Sequence, residues 1–314
     1  MVNVTVGPLE KKDLPEAERI FRVAFGTFLG LPDPMTFGGD ADLVNTRWRA
    51  DPSAAFGAYS EGELVGSNFA TQWGRFGFFG PLSVRPDLWE KGVAQCLLHA
   101  TMALFEKWRT RHTALFTFSQ SPKHLALYQK FGFWPQHLTP VMSKLIERPQ
   151  AGGDWSLYSK TPASEQDSCL RDCSELTGAI WPGLDLAREI RALRDQQIGD
   201  TILLRGSDAL AGLAVCHIGK GSEAGSGSLY VKFGAVTPGK DAPQRFDRLL
   251  SACEELAVQR GARRLLAGVN TARHPAYRRM IERGFRTFLQ GVAMQRPNEP
   301  GYNRPDCFVL DDWR

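Results

Sequence analysis

The sequence lacks the features that mark several classes of protein. Its six cysteines form no CxxC pair and have no histidine partners at metal-ligand spacing, which argues against structural zinc and against a disulfide framework. The longest relevant uncharged stretch, residues 92–105, is shorter than the roughly 18 apolar residues of a membrane span. The N-terminus has no basic segment followed by an apolar one, so no signal peptide is predicted. These absences predict a reduced, cytoplasmic protein that needs no metal and no membrane.

A surplus of one charge is also absent. The net charge is +4, and residues 1–150 and 151–314 each contribute +2. Because nucleic-acid binding requires a basic surplus, no nucleic-acid partner is expected. The hydrophobic share of 43% is typical of a packed globular protein, and 314 residues suit two domains.

The chain contains the same pattern twice. Three matches share a separation of 152 residues: the strand ends at Pro86 and Pro238, the Leu-Leu pairs 97–98 and 249–250, and the Gly-Phe pairs 132–133 and 284–285. An upstream match lies only 146 residues apart, so the second copy holds about six extra residues, for which Gly221–Gly227 is the obvious insert. The polar stretch Glu147–Asp154 suits a linker, which predicts domains at 1–148 and 154–314.

Each copy predicts the same elements. An opening strand and amphipathic helices precede two hairpin strands, which turn at Glu61-Gly62 in the first copy and at Ser207-Asp208 in the second. One long strand then ends at Pro86 or Pro238, and a helix, a strand, a short helix and a closing strand follow. Apolar residues at steps of three or four in 92–108 indicate a helix packed on a sheet. The predicted fold class is α/β, with a mixed α+β sheet in each half.

The junction after Pro86 has the chemistry of an anion site. An irregular loop runs into a helix that begins around Gly92, and the first turn of a helix has unpaired N–H groups and partial positive charge. Small residues at Gly92 and Ala94 give access to those groups, and Lys91 adds a full charge. A phosphate or pyrophosphate fits here. Taken alone, the stretch fits a plain helix start equally well.

Taken together, the motifs resemble the GNAT (Gcn5-related N-acetyltransferase) superfamily, in a tandem two-domain form. The family's phosphate loop, Arg/Gln-x-x-Gly-x-Gly/Ala, reads here as residues 89–94, with Trp89 at its first position. The later signature Asn…Ala…Tyr-x-x-x-Gly-Phe matches residues 121–133, with Ser121 in place of Asn. The resemblance implies two tandem acyl-CoA N-acyltransferase domains.

The resemblance also implies that acetyl-CoA is the co-substrate and an amine the acceptor. The cofactor would lie in a wedge between the strand that ends at Val84 and the strand 114–118. Its pantetheine arm would pair with backbone, and its pyrophosphate would sit on the loop. The implied binding residues are Leu82, Ser83, Val84, Trp89, Glu90, Lys91, Gly92, Val93, Ala94 and Ser121.

Tyr128 is the implied catalytic residue. When an amine attacks a thioester, the leaving thiolate can accept a hydrogen bond or a proton from a nearby phenol. Because thiols have a reference pKa of about 8.5 and tyrosine about 10, full proton transfer is uphill, and stabilisation of the thiolate is the main expected role. The alternative is that Tyr128 only packs under its helix.

No general base is predicted. The family often has a glutamate in the central strand, but residues 75–84 hold none. Glu61 and Glu63 lie in a predicted turn, and His112 and His124 qualify only by titration range.

The acceptor side is expected under the Gly/Pro-rich segment Gly26–Asp42. Phe28 and Phe37 offer apolar contact there, and carboxylates that could hold a cationic amine are Asp33, Asp40 and Asp42. Aromatic residues along the central strand suit either the site or the sheet core; they are Trp73, Phe76, Phe78 and Phe79. A small amine metabolite, an antibiotic and a peptide N-terminus all fit.

The second copy keeps packing residues and loses chemical ones. At the separation of 152, Gly92 and Ala94 become Gln244 and Phe246, Lys91 becomes Pro243 and Tyr128 becomes Met280, with Tyr277 one helical turn away. This contrast predicts one working domain and one degenerate GNAT-like partner domain. Two alternatives stay open: a non-catalytic acyl-CoA-binding or regulatory protein, and a tandem relative that transfers aminoacyl groups from charged tRNA, which the even charge disfavours.

Overall fold

The computed structural model describes residues 3–147, 153–206 and 209–314. Most of the predicted linker and the predicted turn Ser207-Asp208 lie outside these residues. The described part of the chain alternates strands and helices in each half, and its strands join in one mixed sheet. The predicted α/β fold class is therefore confirmed.

The first half contains seven strands and four α-helices among the residues that the structure describes. They are β1 (Thr5–Pro8), α1 (Leu14–Phe28), α2 (Val44–Ala50), β2 (Ala55–Ser60), β3 (Glu63–Trp73), β4 (Phe76–Phe79), β5 (Ser83–Val84), α3 (Val93–Trp108), β6 (His112–Thr117), α4 (Pro122–Gln129) and β7 (Trp134–Leu145). Helix α3 buries Val93, Leu97 and Phe105 on the sheet, as its apolar spacing predicts.

The second half repeats the order of these elements. They are β8 (Trp155–Leu157), α5 (Gln166–Ile180), α6 (Ala187–Gln196), β9 (Gly199–Arg205), β10 (Leu210–Gly219), β11 (Gly225–Val236), α7 (Ala242–Gln259), β12 (Arg264–Gly268), α8 (His274–Glu282), β13 (Arg286–Arg296) and β14 (Val309–Leu310). Residues 221–224 of the expected insert form the turn before β11, and residues 225–227 begin that strand.

Strand register follows the sequence repeat. In the parallel pair β4–β6, Phe76 lies beside His112. In the parallel pair β11–β12, Ser228 lies beside Arg264, and these two residues follow Phe76 and His112 by 152 positions each. A parallel pair needs a crossover connection, which α3 provides in the first half and α7 in the second. The two halves therefore share one local topology, as a duplication requires.

The closing strands are exchanged between the halves. Strand β13 of the second half pairs antiparallel with β6 of the first, and β7 of the first half pairs antiparallel with β12 of the second. The two exchanged strands also pair with each other. Each half therefore completes the other's sheet, and the described strands form one fourteen-stranded sheet.

The prediction of one continuous strand that ends at Pro86 is wrong, because the structure has two shorter strands there. Strand β4 ends at Phe79, the chain bends at Gly80-Pro81, and β5 begins at Ser83. The physical reason is partly local, because Pro81 has no N–H to donate to a ladder. While β4 pairs with β6 up to Phe78, β5 pairs with β3 and with no other strand in the described part of the chain. The sheet opens into a wedge beyond Phe78.

The second half forms the corresponding wedge, but its own chain fills it. Pairing of β11 with β12 ends at Val231, and β14 then pairs antiparallel with β11 at Gly234 and Ala235. Asp312, just after β14, lies so close to β12 that its Cβ would be 2.3 Å from a side chain at Gly268. The segment 309–312 thus occupies the space between the two diverging strands.

The strand exchange predicts one position that tolerates no side chain. Gly291 of β13 faces β6, where an added Cβ would lie 2.3 Å from the Phe116 ring and 2.6 Å from the Thr117 carbonyl oxygen. We expect Gly291→Ala to lower the free energy of unfolding by about 1–3 kcal/mol, as overpacked sites do. Denaturant unfolding followed by circular dichroism measures this change.

Gly7→Ala is the matched control for this prediction. Gly7 also lies in a strand, and an added Cβ there would have no atom within 4 Å. Its stability should stay within about 0.5 kcal/mol of the wild type. Equal effects at both positions would show that β13 does not pack against β6 as described.

Candidate active site

A cavity of about 670 Å³ opens at the wedge of the first half. This volume is within the usual range for a small-molecule site. Residues at the end of the central strand, residues of the following loop and Tyr128 of α4 all line it. The sequence-predicted residues that line it are Leu82, Ser83, Val84, Trp89, Glu90, Gly92, Val93, Ala94 and Tyr128.

The loop before α3 presents backbone donors to the cavity. Gly92 is the residue before the helix and has φ of 91°, and Glu90 has φ of 65°, both in the left-handed region. Within the described chain, the N–H groups of Gly92, Val93 and Ala94 have no hydrogen-bond acceptor. Two residues in the left-handed conformation, followed by the start of a helix, make a concave set of N–H donors that suits an anion.

Trp89 has a structural role in this loop. Its indole N–H donates to the Val84 carbonyl oxygen at 2.8 Å, which ties the loop to the end of β5. The Lys123 ammonium lies 4.9 Å from the centre of the Trp89 ring and 3.7 Å from the Glu90 carboxylate. Lys123 also lines the cavity and brings a positive charge from α4 to the loop. Sequence reasoning missed Lys123, although it lies inside the second quoted motif.

Tyr128 is buried at the edge of the cavity. Its ring packs against Phe79 of β4, with centroids 5.8 Å apart, and only 7% of the residue is exposed. Burial raises the pKa of Tyr128 well above its usual value, and a hydrogen bond with Thr117 only partly offsets this effect. The phenol therefore stays protonated at physiological pH and keeps an O–H group that can donate a hydrogen bond.

Two predicted binding residues do not line the cavity. The Lys91 side chain is exposed to solvent. Ser121 is buried immediately before α4, and its hydroxyl has no hydrogen-bond partner. The structure therefore brings the backbone of the loop to the cavity and leaves these two side chains outside it.

Of the candidate bases named from the sequence, His124 alone lines the cavity. His112 is a buried residue of β6 that does not line the cavity, and its Nε2 lies 2.6 Å from the Gln295 side-chain oxygen. Glu61 and Glu63 are exposed on the hairpin. His124 lines the cavity on α4, four residues before Tyr128, so both side chains lie on one helix face. Burial, and then the nearby Lys123 charge, lower the pKa of His124. Its imidazole is neutral at pH 7.

The second half contributes a carboxylate that sequence reasoning missed. Glu223 lies in the turn before β11, within the insert, and lines the cavity with its side chain 1% exposed. It accepts hydrogen bonds from Arg47 at 3.0 and 3.1 Å and from Lys232 at 2.8 Å. Burial acts to raise the pKa of Glu223, but these two cations hold it well below the ordinary value. The only sequence signal was the length of the insert.

The aspartates of the segment 26–42 have other partners. Asp33 accepts a hydrogen bond from the Met35 N–H, and Asp42 accepts one from the Asn45 N–H at the start of α2. Asp40 binds the backbone and hydroxyl of Ser226, which docks the segment on the second half. None of the three lines the cavity, whereas Phe28 and Phe37 do.

The segment after β14 reaches the same cavity. Asp311 forms a buried ion pair with Arg273 at 2.7 Å and accepts from the Tyr302 hydroxyl at 2.6 Å. These contacts anchor the chain so that Trp313 and Arg314 line the cavity of the first half.

The corresponding helix start in the second half has no such opening. Phe246 is fully buried in the first turns of α7, and its ring lies 5.5 Å from that of Phe308, next to β14. Met280 is fully buried as well. Within the described residues, no group of three or more His, Cys, Asp or Glu side chains is placed to hold a metal ion, and no helix is long and apolar enough to cross a membrane.

Comparison with known proteins agrees with this geometry. Residues 24–133 match the model of the acetyltransferase (GNAT) family. No curated protein matches the chain. A solved structure of a proposed acetyltransferase from Pyrococcus horikoshii has a TM-score of 0.70 at 15% identity and covers 99% of this chain and 95% of its own.

Two further structures share the fold over most of their length. A GCN5-related N-acetyltransferase from Sphaerobacter thermophilus has a TM-score of 0.58 at 14% identity, covering 94% of this chain and 96% of that one. A tandem GNAT protein from the clavulanic acid biosynthesis pathway has a TM-score of 0.58 at 15% identity, covering 93% and 98%. The family model therefore matches part of the first half, and the three solved structures share the fold of nearly the whole chain.

Proposed function

We propose that the protein is an acetyl-CoA-dependent N-acetyltransferase that acetylates a primary amine in the first half of the chain. The observation that carries the proposal is that one cavity connects the N–H donors before α3 to Tyr128 and to walls from both halves. The proposed domains remain 1–148 for catalysis and 154–314 for a degenerate, shape-giving partner. Because the exchanged strands join the halves in one sheet, each proposed domain depends on the other.

In this proposal the pyrophosphate of acetyl-CoA binds the N–H groups of Gly92, Val93 and Ala94. Trp89 has no charge to offer the pyrophosphate, and in this proposal Lys123 of α4 supplies a positive charge beside the loop instead. The pantetheine arm would run along Leu82–Val84, where the sheet has opened and backbone groups are free to pair. The second-half wedge holds β14 in the same place, which supports a strand-like occupant for the first.

The chemistry needs one proton acceptor and one donor. The amine nitrogen attacks the thioester carbonyl carbon, the C–N bond forms, the C–S bond breaks, and the thiolate leaves. We assign the amine proton to the neutral imidazole of His124 and the stabilisation of the thiolate to the Tyr128 hydroxyl. Because the pKa of Tyr128 is raised, the phenol acts as a hydrogen-bond donor more than as a source of a free proton.

A binding experiment tests the number of sites. Isothermal titration with acetyl-CoA should give one site per chain, since β14 fills the second wedge. Gly92→Gln should abolish binding, because a side chain at a φ of 91° distorts the loop and covers its N–H donors. Two equivalent sites would contradict the proposal.

Gly261→Gln is the control for backbone strain. Gly261 has a φ of 73° and open space around it, as Gly92 has, but it follows α7 outside the cavity. Both variants should lose a similar amount of stability, about 1–2 kcal/mol. Only Gly92→Gln should lose acetyl-CoA binding.

Tyr128→Phe should lower kcat by about 10²–10⁴ and leave the Kd of acetyl-CoA nearly unchanged, because the hydroxyl is needed when charge develops on sulfur. Steady-state assay of free CoA and titration of binding measure the two quantities. Tyr277→Phe in the second half is the matched control and should be silent. A kcat within a small factor of wild type for Tyr128→Phe would leave Tyr128 as a packing residue only.

The pH profile of kcat at saturating acceptor tests the assigned proton acceptor. Burial and the Lys123 charge lower the pKa of His124 from its ordinary value. We therefore expect no fall of kcat from His124 around pH 7, and a fall at lower pH as the imidazole becomes protonated. Because the pKa of Tyr128 is raised, no alkaline loss from this residue is expected up to about pH 10.

His124→Gln should lower kcat and remove the acidic limb of the profile. His99→Gln is its control, because His99 is exposed on α3 and does not line the cavity. An unchanged acidic limb in His124→Gln would assign the proton to another group.

A further inference from the structure

We propose that the acceptor is an apolar primary monoamine, aromatic in its body, which binds where the two halves meet and is oriented by the Glu223 carboxylate. This inference rests on the proposed acetyltransferase function and names its substrate class. It depends on three features of the cavity: the position of Glu223, a fixed aromatic wall, and the scarcity of other charges.

Glu223 is held beside the break in the central strand. The Arg47 guanidinium binds the Glu223 carboxylate through Nε and Nη2 and donates from Nη1 to the Gly80 carbonyl oxygen at 2.5 Å. One planar group therefore links a carboxylate of the second half to the residue at which the wedge opens. Because the pKa of this carboxyl is held far below its usual value, Glu223 stays ionised and accepts hydrogen bonds from an amine without taking its proton.

The wall on the first-half side is made of phenylalanines. Phe28 and Phe118 have ring centroids 4.9 Å apart, and Phe25 and Phe37 are stacked at 5.3 Å. Each of the four lines the cavity. Flat rings in contact with one another present both faces and edges, which aromatic ligands match better than branched or polar ones.

This wall is preformed rather than loose. The Arg22 side chain on α1 donates to the carbonyl oxygens of Phe37, Gly39 and Ala41 at 2.7, 2.6 and 3.1 Å. Asp40 fastens the same segment to Ser226 of the second half. Since residues 37–41 are held by contacts from both halves, the acceptor gains binding energy without first ordering them.

The opposite wall is also apolar and comes from the second half. Leu266, Phe288, Leu289 and Trp313 line it. Phe288 is 55% exposed, so the wall continues to the surface and forms an apolar entrance on the acceptor side. An amine with an apolar body can lose its hydration shell along this path at little cost.

Few charges are available to a polar acceptor. Glu90, Lys123 and Lys130 line the loop end of the cavity, and His124 is neutral. Arg314 already faces Asp312 at 3.3 Å and the Tyr230 ring at 4.1 Å. Glu223 is therefore the one buried carboxylate that lines the cavity among the described residues. A second ammonium group, or the hydroxyls of a sugar, would be buried without hydrogen-bond partners. Because unpaired buried polar groups are costly, such acceptors should bind more weakly.

An amine panel with the full-length protein tests the proposal. The acceptors are 2-phenylethylamine, n-butylamine, spermidine, glucosamine and a short peptide with a free N-terminus, each with acetyl-CoA and detection of released thiol. We expect phenylethylamine to exceed spermidine and glucosamine in kcat/KM by about 10²-fold or more, given the cost of unpaired polar groups. Preferred turnover of spermidine, glucosamine or the peptide would overturn the acceptor class and leave the acetyltransferase function standing.

Two variants locate the acceptor. Glu223→Gln should raise the Michaelis constant for phenylethylamine about 10-fold or more, the worth of a charge-assisted hydrogen bond, and leave the Kd of acetyl-CoA unchanged. Phe37→Leu should raise the Michaelis constant for phenylethylamine more than that for n-butylamine. Phe131→Leu is the control for the loss of a phenylalanine ring, because Phe131 does not line the cavity, and it should leave both Michaelis constants unchanged. Unchanged Michaelis constants in both variants would place the acceptor elsewhere.

The same panel separates this inference from the proposed function. If acetyl-CoA binds at one site and no amine is turned over, the acetyltransferase proposal fails and the acceptor inference fails with it. If amines are turned over without preference for an aromatic body, only the acceptor inference fails.

Discussion

The exchange of β7 and β13 is the constraint on which the rest of the structure depends. Because β13 lies against β6 and β7 lies against β12, neither half has a complete sheet without the other. The exchange also sets the distance between the halves, since the two strands pair with each other at the centre. The Glu223 carboxylate of the second half can therefore line a cavity that the loop before α3 and Tyr128 of the first half also line.

The duplicated register produces two wedges, and each needs something to cover its backbone. Free N–H and C=O groups at diverging strands must find partners in the protein, in water or in a ligand. In the second half the chain itself supplies β14, and Phe246 and Phe308 close the space behind it. In the first half no described segment does so, and a cavity remains. The same strand geometry thus gives a packed core on one side and a cleft on the other.

The sequence predicts local features of this fold well and its long-range pairings poorly. The separation of 152 residues recurs in the strand register of the two halves, and helix α3 begins one residue from its expected start. The strand exchange leaves no trace in periodicity, because β7 and β13 alternate in the same way whichever neighbour they pair with. Lys123 and Glu223 were missed for a related reason: their partners, Trp89 and Arg47, lie 34 and 176 positions away in the chain.

The buried charges between the halves act through position more than through stability. Arg47, Glu223, Lys232 and Glu189 form a chain of ion pairs, with contacts of 3.0, 2.8 and 3.0 Å, and Glu189 also accepts from the Trp73 indole. Taking such groups out of water offsets much of their mutual attraction, so an apolar replacement could be equally stable. An apolar cluster could not keep a carboxylate ionised inside an apolar cavity. The two cations that hold Glu223 ionised also prevent it from acting as a base, so the proposed reaction assigns proton acceptance to His124 and hydrogen-bond donation to Tyr128, one turn apart on α4.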